Sequence, residues 1–486
     1  MNGTQHTLKP MSLLSRESSQ PLAEQLAQRF VARMRDQLLV SGARLPSVRQ
    51  CAHMHGVSAS TVVAAYDWLV AQGWVEARPN RGFFVRDRAQ RSMAAAMVTA
   101  TRESGMAESP PPVNAASLIR GMFHQPSAKP QPGMGVFPSN WLDADFLANT
   151  LRKVVTSPSL RESSLRYGEP KGDSGLREVL SAKFADMGLH ADPAQLITTV
   201  GATHALDIIS RTLLRPGDCV MVEEPGWAIE FARLQNLGVR ILPVPRLETG
   251  PDLEVVERYA QLHAPKLMVS VSVLHNPTGY GLSLPSAHQL VNLAHRYNFY
   301  LVEDDTYGHM APAHAVRLSV LDGLKKTIYV SGYAKILAPS WRVGFLAAPD
   351  ELLDLFLDTK LLSTLTTPVL FEKALALCLE QGAIRRHIER LSQMLDAARS
   401  RSVKLALSYG GQFMAPPQGL FGWIDVGVDT DALALRMHDA GYLLAPGSLF
   451  HADRRPGSLM RVNFASTQED QFWRDMSKTR SEILSR

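Results

Sequence analysis

Residues 331–344 read SGYAKILAPSWRVG. The run follows the apolar stretch TIYV at 327–330, so Lys335 stands just past the end of a predicted strand, with Arg342 seven residues beyond it. An amine in that position can form a Schiff base with a carbonyl compound. A guanidinium holds a phosphate through paired charge-assisted bonds. The spacing therefore suits a carbonyl-bearing ligand that also carries a phosphate.

Upstream elements sharpen this reading. Glu303-Asp304-Asp305-Thr306-Tyr307 ends the apolar run FYLVE. A carboxylate at a sheet edge is costly unless paired, and a protonated ring nitrogen is a suitable partner for Asp304. His275-Asn276-Pro277-Thr278-Gly279 ends the run LMVSVSVL. Asn276 and Tyr307 suit a phenolic oxygen, although Asn-Pro-Thr-Gly alone also makes an ordinary turn. Gly201-Ala202-Thr203 lies between LITTV and the helical ALDIISRTLL. Such a turn cradles a phosphate on backbone N–H groups or simply joins a strand to a helix. Trp227, in Pro225-Gly-Trp, suits stacking on a ring or burial in a core. Arg461, in the alternating run LMRVNF, suits a bidentate carboxylate clamp or a surface ion pair.

The whole chain has 486 residues, which predicts two or three domains. Three cysteines without a C-x-x-C pair argue against a disulfide framework or a metal site and for a reducing cytoplasm. The first twenty residues lack the apolar run of a signal peptide, and no stretch approaches the roughly 20 apolar residues that span a bilayer. The net charge of +5 is uneven: residues 1–91 carry +6 and residues 92–486 carry −1. A basic N-terminal fifth on a near-neutral body predicts a nucleic-acid-facing module, although a helix with a solvated basic face has the same charge.

The pattern within that fifth is specific. Residues 21–40 place Leu22, Leu26, Phe30, Val31, Met34 and Leu38 at helical spacing. A second helix starts at Pro46-Ser47 and stops at Gly56. A third, 58–72, opens on Ser58 as N-cap. Two short strand-like runs follow around 74–76 and 83–85, joined at Arg78-Pro-Asn-Arg-Gly82. Three helices and a basic hairpin predict a winged helix-turn-helix. Residues 87–134 are rich in Ala, Ser, Pro and Met and predict a linker, with a short helix near 91–100. Beyond it, apolar strand candidates at 219–223, 267–274, 299–303, 327–330 and 345–348 alternate with helices such as 203–213 and 285–297. That predicts an α/β body whose mostly parallel sheet is sandwiched by helices. From about 368, long helices before short strands predict a small α+β C-terminal subdomain.

Residues 134–486 resemble the fold-type I aminotransferases, which use pyridoxal 5′-phosphate. The resemblance implies Lys335 as the Schiff-base lysine and Asp304 as partner of the ring nitrogen. It implies Asn276 and Tyr307 at the phenolic oxygen and Trp227 stacked on the ring. Gly201, Ala202, Thr203 and Arg342 would hold the phosphate, and Arg461 the substrate carboxylate. Tyr167, in the run YGEPKG, looks like the tyrosine that reaches the partner subunit's phosphate site. Gly332 and Ala334 stand where the family often has hydroxyls, and Ser331 is expected to compensate in part. Ile229 replaces a basic residue of relatives that sense a second anionic group.

Leu45-Pro-Ser-Val-Arg49, Gly56-Val-Ser58-x-Ser60-Thr61-Val62 and Ala65-Tyr66-x-x-Leu69 resemble the GntR-type winged helix. That resemblance implies DNA contacts from Arg49, Ser58, Ser60, Thr61 and Arg78 or Arg81. Ala59 stands where an arginine is common. Together the parts are similar to the MocR subfamily of bacterial regulators: a reader at 16–88, a linker at 89–133 and a body at 134–486. The resemblance implies a head-to-tail homodimer, double-stranded DNA as partner, and control by pyridoxal phosphate or by an amino-acid or amine effector. The alternative is a working aminotransferase with an appended DNA-binding segment.

Overall fold

The computed structural model describes residues 20–35, 39, 42–72, 74–78, 81–85, 129–142, 144–312 and 314–485. The helix expected near 91–100 and the rest of 89–128 lie outside the described residues.

Three helices open the chain: α1 (Leu22–Arg35), α2 (Val48–His55) and α3 (Ala59–Ala71). Of the expected 21–40, the described helix covers Leu22–Arg35, and residues 36–38 and 40 lie outside the described residues. Ser47 and Gln50 form a reciprocal capping box on α2, and Gly56 ends it at φ 62°. Ser58 caps α3 by accepting from the Thr61 N–H at 3.1 Å. The apolar stripes of α1 and α3 meet in one core of Leu26, Phe30, Tyr66 and Leu69. There Tyr66 packs edge-on to Phe30 and Phe83 and donates to the Pro46 carbonyl at 2.8 Å. Strands β1 (Val75–Arg78) and β2 (Gly82–Val85) form the antiparallel wing.

The body holds an eight-stranded sheet. In chain order its strands are β3 (Leu196–Val200), β4 (Cys219–Glu224), β5 (Arg240–Leu247), β6 (Gly250–Pro251), β7 (Leu267–Ser270), β8 (Tyr300–Asp304), β9 (Thr327–Gly332) and β10 (Val343–Ala347). Their spatial order is β3-β10-β9-β8-β7-β4-β5-β6. Strands β5, β4, β7, β8 and β9 run parallel, whereas β10 is antiparallel to both β3 and β9. Apolar clusters cover both faces, as their continuous apolar sequences predict. The predicted strand 267–274 stops at Ser270, because the Val271 N–H turns to the Glu223 carboxylate at 3.1 Å.

A second sheet, β11 (Gln412–Phe413), β12 (Phe421–Asp425), β13 (Ala445–Pro446) and β14 (Leu459–Asn463), is antiparallel in the order β11-β12-β14-β13. The 26-residue helix Ala383–Ser408 precedes it. In this single chain α1 touches the chain's own body, where Arg33 Nε donates to Asp439 Oδ1 at 3.1 Å. Arg33 Nη2 pairs with the other carboxylate oxygen. Burial, with Arg33 and Arg29 adding to it, pushes the nearby His55 down to about 4.

Candidate functional site

Topology gathers the candidate residues at one edge. Asn276 follows β7, Asp304 ends β8 and Lys335 follows β9, all past carboxyl ends of parallel strands, where ligands of open α/β sheets bind. Gly201 follows β3. Because β10 runs the other way, Arg342 enters at its amino end, on the same edge, with Val343 paired to Val200.

Strand alternation sorts the acidic triplet. Glu303 and Asp305 share a face and are consumed there. Glu303 accepts from the Leu318 and Ser319 N–H groups at 2.7 and 2.9 Å, and Asp305 from Arg317 and Tyr329 at 2.8 and 2.7 Å. Asp304 faces the other way and accepts from Thr306 N–H at 3.0 Å and from the Thr306 hydroxyl. Burial raises its carboxyl to about 6, with Glu230 and Asp305 adding to the rise and the Thr306 bonds opposing it. Glu230 was not legible as a neighbour of this site, since it lies in the helix Ala228–Asn236, far off in sequence.

Lys335 Nζ lies 5.7 Å from the centre of the Tyr307 ring. Burial lowers its pKa to about 8; Arg461 and Arg342 push the same way and Asp304 opposes. Tyr307 packs edge-on to Phe421 and donates to the Gly135 carbonyl at 3.1 Å. Burial pushes its phenol upward. Arg461 is 3% exposed. Its Nη1 donates to Asn276 Oδ1 at 2.9 Å and its Nη2 to the Gly133 carbonyl at 2.5 Å. The guanidinium lies over the Phe421 and Phe450 rings, at 4.5 and 5.2 Å. Burial lowers its pKa to about 10.

The other end is built of glycine. Gly201 has φ 82°, and a Cβ there would stand 2.4 Å from Arg342 Nη2. Arg342 donates to the Val200 carbonyl at 3.3 Å. Gly201 is also the N-cap of the helix Ala202–Leu213, whose first N–H groups have no partner within the helix. Thr203 is exposed there, and Trp227 is partly buried against the neighbouring core. A Cβ on Gly344 would meet the Gly201 carbonyl carbon at 2.4 Å and the Ala202 nitrogen at 2.6 Å. Both are backbone and cannot swing away. Gly344→Ala is therefore expected to cost about 3 kcal/mol and to lower the urea midpoint of the body, a shift that circular dichroism measures.

One expectation is corrected. Ser331 does not compensate for Gly332 and Ala334: its hydroxyl donates to the Asp305 carbonyl at 3.0 Å, inside the sheet. Tyr167, expected at a partner's site, stands apart from the cluster of its own chain: it is 85% exposed and, among the described residues, shares no hydrogen bond or ring contact with the others. Its segment is nonetheless fixed. Lys360 Nζ donates to the Pro170 carbonyl at 2.7 Å, and Arg177 holds both Glu169 and the Gly172 carbonyl.

On the reader, Arg49, Ser58, Ser60 and Arg81 are exposed, and the hydroxyls of Ser60 and Thr61 both bond to Ser58 Oγ, at 2.8 and 2.7 Å. Arg78 is engaged by Glu76 at 2.8 Å and lies over the Phe84 ring. Arg44, which the sequence did not single out, bridges to Phe84 beside Gly82 and adds an exposed cation to the wing.

An amine, a carboxyl, an amide, a phenol and a glycine turn with an arginine, gathered at one sheet edge, form the donor set that a phosphorylated pyridine aldehyde requires. The glycine cradle, which one added methyl would fill, fits the phosphate.

Residues 145–473 match the family described as aminotransferase class I and II, and residues 22–85 match the bacterial regulatory proteins of the gntR family. The chain is 28% identical to an uncharacterized HTH-type transcriptional regulator, YdcR of Escherichia coli, over 96% of this chain and 99% of that protein. It is also 28% identical to the probable rhizopine catabolism regulatory protein MocR of Rhizobium meliloti, over 79% of this chain and 77% of that one. The kynurenine aminotransferase of Pyrococcus horikoshii shares the fold, with a TM-score of 0.68 and 24% identity over 76% of this chain and 94% of that one. The chain belongs to the class I and II aminotransferase family and joins that body to a GntR-family DNA-binding module, the arrangement of MocR-like transcriptional regulators.

Proposed function

We propose that this protein is a cytoplasmic transcriptional regulator whose body binds pyridoxal 5′-phosphate and senses that cofactor, an amino-acid or amine effector, or both. The observation that carries the reading is the convergence of Lys335, Asp304, Asn276, Tyr307 and Arg461 at one sheet edge, in a chain that begins with a DNA reader. Pyridoxal phosphate, when bound, supplies an electrophilic aldehyde on an electron-withdrawing ring. Lys335 provides the amine for that aldehyde. Asp304 holds a proton on the ring nitrogen, and Asn276 and Tyr307 hold the ring oxygen. Gly201, Ala202, Thr203 and Arg342 hold the phosphate, and Trp227 closes the ring's face. Arg461 takes the effector's carboxylate. Arg49, Ser58, Ser60, Thr61, Arg78 and Arg81 meet the DNA. The units are a reader at 16–88, a linker at 89–133 and a body at 134–486.

A head-to-tail homodimer is part of this proposal. A tyrosine that is fully offered to solvent on a rigidly bonded segment, as Tyr167 is, suits a partner's phosphate site. Among the described residues, no helix is long and apolar enough to cross a membrane.

The test is a gel shift on the DNA upstream of the protein's own gene, with and without pyridoxal phosphate and amino acids. A specific band that the ligands alter is expected; no specific band in any condition would reject the reading. A Lys335 amine near 8 is neutral in about a quarter of molecules at pH 7.5, against roughly one in a thousand for an ordinary lysine. Capture of pyridoxal phosphate by cofactor-free protein is therefore expected to quicken as pH rises to about 8 and then level off. Stopped-flow absorbance measures it, and a rate still climbing at pH 10 would contradict the burial of that amine.

The same reactive amine favours a second reading, turnover as an aminotransferase. Sustained release of keto acid from an amino acid, with a second keto acid as acceptor, would support it.

A further inference from the structure

The segment 131–136, QPGMGV, falls across the boundary that composition places between linker and body, and it is bound along its whole length. Gln131 Nε2 donates to the Gly441 carbonyl at 3.0 Å, and its Oε1 accepts from the Leu443 N–H at 3.1 Å. The Gly133 N–H donates to the Leu443 carbonyl at 2.7 Å. Asn463, fully buried on β14, donates to both the Met134 and Val136 carbonyls, at 2.9 and 2.8 Å. Between these anchors the strap crosses the candidate site. The Gly133 carbonyl takes Arg461 Nη2, and the Gly135 carbonyl takes the Tyr307 hydroxyl. Gly133 is needed for so close an approach, and Gly135 eases it. A Cβ on Gly133 would stand 2.6 Å from the Leu444 carbonyl carbon, and one on Gly135 would stand 3.2 Å from the Tyr307 oxygen.

Arg461 is thus bonded to a neutral backbone carbonyl where a carboxylate would be the stronger partner. Its Nε, equally buried, has no hydrogen bond among the described residues. A charge-assisted bond is roughly twice as strong as its neutral counterpart, and a guanidinium with a free donor gains a second bond from a carboxylate.

Resting on the reading of Arg461 given above, we propose that the strap is a built-in occupant of the effector site. The Gly133 carbonyl holds Arg461 until a ligand carboxylate displaces it. The site consequently selects α-amino acids over amines that lack a carboxylate, and displacement of the strap reports occupancy to the chain that leads back to the reader. The anchors place that movement well. Gly441 and Leu443 lie just after Asp439, the residue on which α1 is clamped, and Ala445 pairs directly with Arg461 in the small sheet.

The test uses the full-length protein loaded with pyridoxal phosphate, and glycine, acetate and methylamine as probes. These are the smallest members of their classes, so no side-chain pocket excludes them. Hydrogen exchange across 131–136 is read by mass spectrometry beside the cofactor's absorbance. Glycine and acetate are expected to speed exchange of the strap several-fold and methylamine to leave it unchanged. Equal acceleration by methylamine overturns the proposal. So does unchanged exchange while glycine alters the absorbance, and that result leaves the reading of the site intact. Absorbance that no probe alters removes that reading and the proposal with it. Gln131→Ala loosens the strap without touching Arg461. It is expected to tighten glycine binding by roughly tenfold, the worth of its hydrogen bonds to Gly441 and Leu443. Asn463→Ala is expected to act in the same direction. Weaker binding in Gln131→Ala would show that the strap covers the ligand rather than competing with it, and would overturn the proposal.

Discussion

Replacing Lys335 with alanine is expected to abolish the visible absorbance of the protein loaded with pyridoxal phosphate and to remove every response of its DNA binding to amino acids. Among the described residues, no second lysine joins this cluster. Lys360, the other lysine whose pKa burial lowers to about 8, is committed to the Pro170 carbonyl beneath the Tyr167 segment. Folding should survive. Lys335 donates to no described residue, so its truncation leaves no acceptor stranded. Far-ultraviolet circular dichroism and the urea midpoint should therefore match those of the parent while the absorbance is lost. Phosphate and ring contacts remain, so the cofactor should still bind, more weakly, as its free aldehyde. A mutant that keeps the band unchanged would place the reactive amine elsewhere and reject the central assignment.

The residues that carry this prediction were legible because each stands where a strand ends. A short apolar run followed by Asp304, Asn276 or Lys335 has one plausible place in an α/β sheet, the carboxyl edge. Alternation then separates Asp304 from Glu303 and Asp305 without any knowledge of the fold. Signals failed where order comes from the backbone. The strap at 131–136 has the Pro and Gly content of a linker, and nothing in its side chains announces that its carbonyls fill Arg461 and Tyr307. Strand β5, RILPVPRL, was missed for a related reason: Pro243 and Pro245 argue against a strand. Yet it pairs in register with β4 as the next-to-last strand of the sheet. Ser331 was misjudged because a hydroxyl close to Lys335 in sequence belongs to the opposite face of β9, where it meets Asp305. Tyr167 cannot be judged within one chain, since a residue that serves a partner's site looks like an exposed aromatic in its own.

Arg461→Met is expected to weaken amino-acid binding by at least roughly a hundredfold while changing methylamine binding by less than about threefold. Methionine keeps the length and the contact with Phe421 and Phe450 but removes the charge and all five donors. For a ligand with a carboxylate, the loss of a buried, charge-assisted bidentate contact is worth about 3 kcal/mol or more, which is a hundredfold or greater change in affinity. Two smaller effects act with opposite signs. Freeing the Gly133 carbonyl loosens the strap that crosses the site, which opens it to an amino acid and an amine alike. Losing the Arg461 bond to Asn276 loosens the amide beside the ring, which disfavours every ligand. Neither distinguishes an amino acid from an amine, so the ratio of the two affinities isolates the carboxylate term. Absorbance titrations of parent and mutant with glycine and methylamine give that ratio directly. If the ratio does not move, Arg461 is a structural cation, held by two aromatic rings and two carbonyl oxygens, and the effector's carboxylate binds elsewhere. If it collapses, the same arginine that the strap occupies is the one that decides which ligands this regulator can detect.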